Sequence, residues 1–151
     1  MKIIKSEINY KQLVSDILEH AKNFKEDLIE KGFDKFSLGE FYNYVLNLPY
    51  ISDGEENEIL VRPKYSLDKN YNVNRDCDDK CLALATFCEL KNIKYRIIVS
   101  GRKNKVHHIY LEIFYAPLNK WLKLDATYPN INKLGKGLFK EKKREIYYNF
   151  S

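Results

Sequence analysis

The run of residues 76–92 constrains the fold of this chain more than any other stretch. It opens as Asp-Cys-Asp-Asp-Lys-Cys, with Asp76 as a favourable N-cap residue and Asp79 three places later, where a capping carboxylate can reach back. An apolar helical run follows, made of Cys81, Leu82, Ala83, Leu84, Ala85, Phe87, Cys88 and Leu90. We therefore predict a helix that begins at Asp76 and ends near Asn92.

Short runs with the character of β-strands follow this helix. Residues 95–99, 106–115 and 121–125 are predicted strands, separated by turn residues such as Gly101 and Pro117. Residues 145–150 are predicted to add an edge strand. Strands that follow one another through short turns form an antiparallel meander.

Two helices are predicted before this region. Residues 6–31 carry apolar side chains at helical spacing, and Gly32 is a natural stop, so we expect one long amphipathic helix there. Ser37 and Glu40 have the spacing of a capping box, which predicts a second helix that ends at about Asn47.

Residues 50–74 are the least regular part of the sequence. We predict a long ordered loop there, with one short strand near residues 59–61. The loop leads directly into Cys77, where it would form one wall of a cleft.

Helices followed by an antiparallel meander make an α+β domain.

Composition limits the class of protein. The chain has 151 residues, of which 44% are hydrophobic and 31% charged, so we predict a single folded domain over residues 1–151. The net charge of +5 comes from scattered lysines with acids beside them, which argues against nucleic-acid binding. No apolar run resembles a signal peptide or a membrane span, so we expect a cytoplasmic protein without membrane contact.

The three cysteines differ in their predicted surroundings. Cys77 lies in the first turn of the predicted helix, where free N–H groups and the helix dipole favour a thiolate. Cys81 and Cys88 lie within the apolar run and are predicted to be small buried hydrophobes. An odd number of cysteines crowded on one helix does not suggest disulfides. Cys77 is therefore the candidate nucleophile, in a reducing compartment.

A histidine pair and an acid follow in chain order. On a strand, His107 shares an apolar face and His108 a mixed face, so the period-two pattern favours His108 only weakly as a cleft residue. Asp125 closes a predicted strand, where an acid is either a turn former or an orienting partner for a histidine. Cys, His and Asp supply a nucleophile, a base and an orienting acid.

The sequence contains two possible metal-ligand sets, and neither predicts a metal site. Cys77, Cys81 and the two histidines offer zinc ligands, but adjacent histidines point to opposite faces of a strand, which is poor tetrahedral geometry. The acids flanking Cys77 suggest Mg²⁺ or Ca²⁺, but consecutive helical residues point in different directions. Capping and dipole compensation explain Asp76, Asp78 and Asp79 more simply. We predict no metal and no cofactor.

Three blocks of the sequence resemble the transglutaminase-like superfamily. That family has a Cys at a helix start, a Gly-Ile-Pro-x-Arg strand entry, a His-x-Trp-x-Glu strand and a Trp-x-x-Leu-Asp-x-Thr strand. The corresponding residues here are 76–85, 92–96, 108–112 and 121–127. The Asp-Cys-Asp-Asp form, preceded by Arg62 and Pro63, is particularly similar to small transglutaminase-like proteins of bacteriophages and prophages. The chain departs from the family pattern at Cys81, Asn92, Lys94 and Tyr110.

The resemblance implies a papain-like triad. His108, with Glu112 four residues later, matches the family base in preference to His107, and Asp125 matches the orienting acid. The implied core, residues 61–129, is a catalytic helix packed on an antiparallel sheet. A helical part, residues 1–49, precedes it, and a tail with an edge strand, residues 130–151, follows it.

The resemblance also implies the chemistry. The Cys77 thiolate attacks an amide or ester carbonyl and forms a thioester, while the Cys77 N–H and a loop donor hold the oxyanion. The nearest upstream donors are Tyr71, Asn72 and Asn74.

We expect a cysteine-dependent hydrolase, bacterial or phage-encoded, that cleaves a peptide or isopeptide amide in a protein or peptide substrate. The alternatives are an acyl transferase with the same triad, which cross-links proteins or transfers to an amine, and a catalytically silent phage structural or binding module.

Overall fold

The computed structural model describes residues 10–49, 60–71, 73, 75–102, 105–127 and 143–149. The helices within these ranges are α1 (Tyr10–Asn23), α2 (Lys25–Glu30), α3 (Leu38–Leu46), α4 (Pro63–Ser66) and α5 (Cys77–Lys91). The strands are β1 (Tyr95–Arg102), β2 (Lys105–Tyr115), β3 (Lys120–Leu124) and β4 (Lys143–Tyr148). Short 3₁₀ helices lie at Phe33–Lys35 and Ala116–Leu118. The architecture is α+β, as predicted.

The long helix predicted over residues 6–31 is two helices in the structure, and its first residues lie outside the described ranges. The break falls at Phe24, which lies between α1 and α2 with φ −108° and ψ 19°. Asp27 of α2 is buried and accepts hydrogen bonds from Arg62 Nε at 2.7 Å and Nη2 at 2.9 Å. The Arg62 guanidinium also lies over the Phe24 ring, 4.4 Å from its centroid. The break therefore coincides with an inward-facing ion pair that a straight amphipathic helix would not predict.

Helix α3 forms as its capping box predicts. The Ser37 hydroxyl accepts from the Glu40 N–H at 3.2 Å, and the Glu40 carboxylate accepts from the Ser37 N–H at 3.0 Å. Its buried face contains the four residues at helical spacing, Phe41, Tyr42, Val45 and Leu46.

The segment before Cys77 contains a helix that the sequence pattern did not predict. Helix α4 begins at Pro63, a residue favoured at the first helical position because it has no N–H to leave unpaired. Residues 60 and 61 are not in a strand, and residues 50–59 lie outside the described ranges. Arg75 is buried and donates to the backbone carbonyls of Ser66, Asp68 and Tyr71. This arginine anchors the path of the chain into α5.

Helix α5 lies in the centre of the molecule. Every residue from 77 to 88 is buried, and the helix packs against α1, α3, α4 and β2. The Phe87 ring stacks on Phe41 of α3 with the centroids 4.4 Å apart. The helix ends at Asn92, which adopts the left-handed conformation with φ 57°, as expected for a C-terminal stop. The predicted bounds of this helix are confirmed.

The sheet has the order β3-β2-β1-β4, and all its pairs are antiparallel. The predicted meander from β1 to β3 is confirmed, and β4 is an edge strand that pairs with β1. One face, including Ile97, Val99, Ile109 and Leu111, joins the core formed with the helices. Ser100 pairs with His108 and Gly101 with Val106, so a bulge leaves His107 without a one-to-one partner.

No helix within the described ranges has both the length and the apolar character needed to cross a membrane.

The contact between Phe41 and Phe87 predicts a large stability effect. Phe87→Ala should lower the free energy of unfolding by about 3–5 kcal/mol, because it removes a fully buried ring and leaves a cavity beside α5. Urea denaturation followed by circular dichroism measures the change. Leu118→Ala is the matched control: its side chain is 60% exposed, so its effect should stay within about 0.5 kcal/mol. Equal losses for the two variants would contradict the central position of α5.

Candidate active site

Three elements bring Cys77, His108 and Asp125 together. Cys77 is the first residue of α5, His108 lies on β2, and Asp125 directly follows β3. All three are buried, with Cys77 the most accessible at 9% exposure. Their meeting depends on β2 and β3 being neighbours in the sheet and on α5 packing against β2.

Asp125 and His108 form a short contact. His108 Nε2 lies 2.6 Å from Asp125 Oδ2. The other oxygen, Asp125 Oδ1, accepts from the Thr127 N–H at 3.1 Å and from the Thr127 hydroxyl at 2.6 Å. Both carboxylate oxygens are therefore engaged, and the acid is held in one orientation against the imidazole.

The opposite side of the imidazole faces the thiol. His108 forms a side-chain hydrogen bond with Cys77. Because Nε2 is engaged with Asp125, Nδ1 is the ring nitrogen available to sulfur. Sulfur, imidazole and carboxylate thus form one continuous chain of hydrogen bonds.

The electrostatics of this chain favour a protonated imidazole. Burial opposes the imidazolium, but the hydrogen bonds with Asp125 and Cys77 outweigh it and raise the pKa of His108 to about 10. Burial likewise opposes the Asp125 carboxylate, but hydrogen bonds from His108 and Thr127 keep the pKa of Asp125 below its ordinary value. A charged His108–Asp125 pair is therefore the stable state near neutral pH.

Tyr42 and Lys80 support this site, and neither was predicted to do so. The Tyr42 hydroxyl donates to the Asp125 backbone carbonyl at 2.8 Å. Burial, together with the nearby Asp125 charge, raises the pKa of Tyr42, so the hydroxyl stays a neutral donor. Tyr42 belongs to the buried face of α3, and its sequence position gives no other sign of this role.

Lys80 is a buried cation surrounded by carbonyl oxygens. Its Nζ donates to Leu48 at 2.9 Å, Ala126 at 3.0 Å, Thr127 at 3.3 Å and Leu46 at 3.4 Å. Burial lowers the pKa of Lys80 to about 8. The one sequence signal for this role was a lysine within an otherwise apolar helical run.

The predicted oxyanion donors are placed only in part. The Tyr71 side chain is exposed and its ring lies against Tyr65, with centroids 5.2 Å apart. No hydrogen bond among the described residues joins Tyr71 to Cys77. Asn72 and Asn74 lie outside the described residues, as does the side chain of His107.

Cys81 and Cys88 are buried free thiols, as predicted. Burial raises the pKa of both well above the ordinary value for cysteine, so neither favours a thiolate.

The prediction that Asp76, Asp78 and Asp79 point apart is wrong. One ligand atom from each of the three lies within 4.8 Å of the others, and all three residues are buried. The helical spacing argument fails because Asp76 is the N-cap residue, with extended backbone angles of φ −91° and ψ −168°. Among the described residues, this is the only such group of three or more metal-ligating side chains.

Comparison with known proteins found no counterpart. No protein-family model matches the chain, and neither the curated proteins nor the solved structures include a match. The chemistry of the site must therefore be inferred from its own geometry.

The raised pKa of His108 predicts a specific pH dependence of stability. The imidazolium stabilises the fold fully below the unfolded pKa of about 6.5, and this contribution is lost as the pH rises through about 10. The difference in unfolding free energy between the native chain and His108→Gln should therefore shrink between pH 6.5 and 10. Urea titrations at several pH values measure it, and a pH-independent difference would contradict the charged pair.

Proposed function

We propose that this protein is a cysteine-dependent hydrolase that cleaves a peptide or isopeptide amide through a thioester on Cys77. The single observation that carries the proposal is the hydrogen-bonded chain from Cys77 through His108 to Asp125. A buried imidazole held between a thiol and a carboxylate is the arrangement that activates a cysteine nucleophile.

Acylation uses the first two members of this chain. Cys77 sulfur, its proton transferred to His108, attacks the amide carbonyl, so an S–C bond forms and the carbonyl electrons move to oxygen. When the tetrahedral species collapses, the C–N bond breaks and His108 returns the proton to the leaving amine. The products are a thioester on Cys77 and a free amine.

Deacylation releases the acyl group from Cys77. His108 removes a proton from water, the water oxygen attacks the thioester carbonyl, and the S–C bond breaks. The products are a carboxylic acid and the Cys77 thiolate, with the proton from water left on His108. Water is the expected acceptor because a small domain without a dedicated second substrate site usually admits it.

Asp125 serves as the orienting acid. Its carboxylate keeps the proton on Nε2 of His108 and stabilises the imidazolium formed in each step. Thr127 holds that carboxylate from the other side.

The start of α5 supports stabilisation of the oxyanion. The N–H groups of the first helical turn have no partner within the helix, and the helix dipole adds positive potential there. The Cys77 N–H is therefore the first proposed donor to the oxyanion. Tyr71, Asn72 and Asn74 stay the candidates for the second donor.

The topology supports a transglutaminase-like core as part of this proposal. A nucleophile at a helix start, followed by antiparallel strands that carry the base and then the acid, is what the sequence resemblance implies. The three free thiols fit a reducing compartment, such as the cytoplasm of a bacterium that encodes the protein or hosts a phage that does.

Selective alkylation tests the activated thiol. At pH 7, iodoacetamide should label Cys77 at least tenfold faster than N-acetylcysteine, because the adjacent imidazolium stabilises the thiolate. His108→Ala should slow this labelling by at least tenfold. Peptide mass spectrometry follows each cysteine separately, with buried Cys81 and Cys88 as internal controls.

Two results would overturn the proposed role of Cys77: labelling no faster than the free thiol, or labelling unaffected by loss of His108. The first would favour a silent structural or binding module.

Once a cleavable peptide is found, adding a primary amine distinguishes water from an amine as the acceptor of the acyl group. Hydrolysis predicts a carboxylic acid product at all amine concentrations, whereas an acyl transferase would incorporate the amine.

A further inference from the structure

Two carboxylates beside Cys77 are buried without hydrogen bonds. Asp76 is 0% exposed and Asp78 is 3% exposed. Neither oxygen of either side chain has a hydrogen-bond partner among the described residues. The third acid, Asp79, is engaged: Oδ1 accepts from the Val61 N–H at 2.7 Å and Oδ2 from the Asp76 N–H at 3.1 Å. Asp79, whose carboxylate accepts hydrogen bonds, thus lies beside two carboxylates, Asp76 and Asp78, whose oxygens accept none.

The nearest cationic residues along the chain direct their hydrogen bonds elsewhere. Arg75 donates through Nε and Nη2 to backbone carbonyls upstream of α5. Lys80 donates to carbonyls at the end of α3 and after β3. Neither forms a described hydrogen bond with the carboxylate of Asp76 or Asp78.

Helix capping does not satisfy these two acids. Asp76 and Asp79 form the capping box of α5, in which the Asp76 side chain faces the Asp79 N–H, but neither Asp76 oxygen reaches the geometry of a hydrogen bond, and Asp78 has no part in the box. The helix dipole alone offsets only a small part of the cost of burying an ionised carboxylate. Buried carboxylates are normally paired with a cation, bound to a metal or protonated.

The geometry favours the metal. Ligand oxygens of Asp76, Asp78 and Asp79 lie within 4.8 Å of one another, close enough to share one ion. We propose that these three side chains bind a divalent cation, and that Ca²⁺ is preferred. The ligands are all hard carboxylate oxygens with no histidine or cysteine among them, which disfavours zinc.

Calcium suits this site better than magnesium does. Ca²⁺ accepts irregular arrangements of mono- and bidentate carboxylates, whereas Mg²⁺ requires a near-ideal octahedron and tends to keep several waters. The cation would bridge the residues on both sides of Cys77 and so order the start of α5. This proposal is independent of catalysis by Cys77.

Thermal unfolding in the presence of calcium tests the site. Protein stripped with EDTA and exchanged into chelator-free buffer is titrated with CaCl₂ at constant ionic strength, and its Tm is measured. At about one hundred times the Kd, the Tm should rise by roughly 5 °C, because the ion binds the folded state alone. The same concentrations of MgCl₂ should produce a smaller rise.

Paired variants localise the effect. Asp78→Asn and Asp76→Asn should each reduce the calcium-dependent rise in Tm at least tenfold, since each removes one ligand charge with little change of shape. Glu19→Gln is the matched control, because it removes one carboxylate charge from an exposed position on α1 and should keep the full rise.

The proposal is overturned if calcium leaves the Tm unchanged, or if it raises the Tm of the aspartate variants as much as that of Glu19→Gln. A larger effect of magnesium would overturn the preference for calcium. If an aspartate variant fails to fold, isothermal titration calorimetry of the native chain decides: one saturable Ca²⁺ site per chain is expected, and no binding refutes the site.

Discussion

The assembly of the site depends on the hydrogen bonds that the buried Lys80 ammonium group donates. It projects from α5 and donates to carbonyl oxygens at the end of α3 and in the segment after β3. Those two pieces are far apart in sequence, and the same pieces carry Tyr42 and Asp125. A single buried cation therefore holds the nucleophile helix, the supporting tyrosine and the orienting acid in one arrangement. Its charge is balanced by the dipoles of these carbonyl groups, so the position is sensitive to the loss of any of these acceptors.

Several charged side chains are buried in the interior and have hydrogen-bond partners there. Asp27 accepts from Arg62, Arg75 donates to three backbone carbonyls, and His108 is hydrogen-bonded to Asp125. In each case a buried ionic group is matched by partners that recover part of the desolvation cost.

The sequence predicted the local features of the fold well. Capping residues marked the starts of α3 and α5, and alternation marked the strands, because both signals depend on neighbours within a few residues. Sequence-based prediction failed for features that depend on residues far apart in the chain or on non-helical backbone. The partners of Lys80 lie more than thirty residues away on either side. The convergence of the acids depends on the extended backbone of Asp76, to which helical periodicity does not apply.

The bulge in β2 has a consequence for how this strand tolerates change. The register shifts between Ser100 and Gly101. Lys105 and Val106 therefore pair with β1 in a different register from His108 and the residues after it. A residue gained or lost ahead of that point alters the length of the β1–β2 hairpin without turning His108 to the opposite face of the sheet. The bulge thus separates the hairpin end of β2 from the part that positions the site, and it lies one residue before His108.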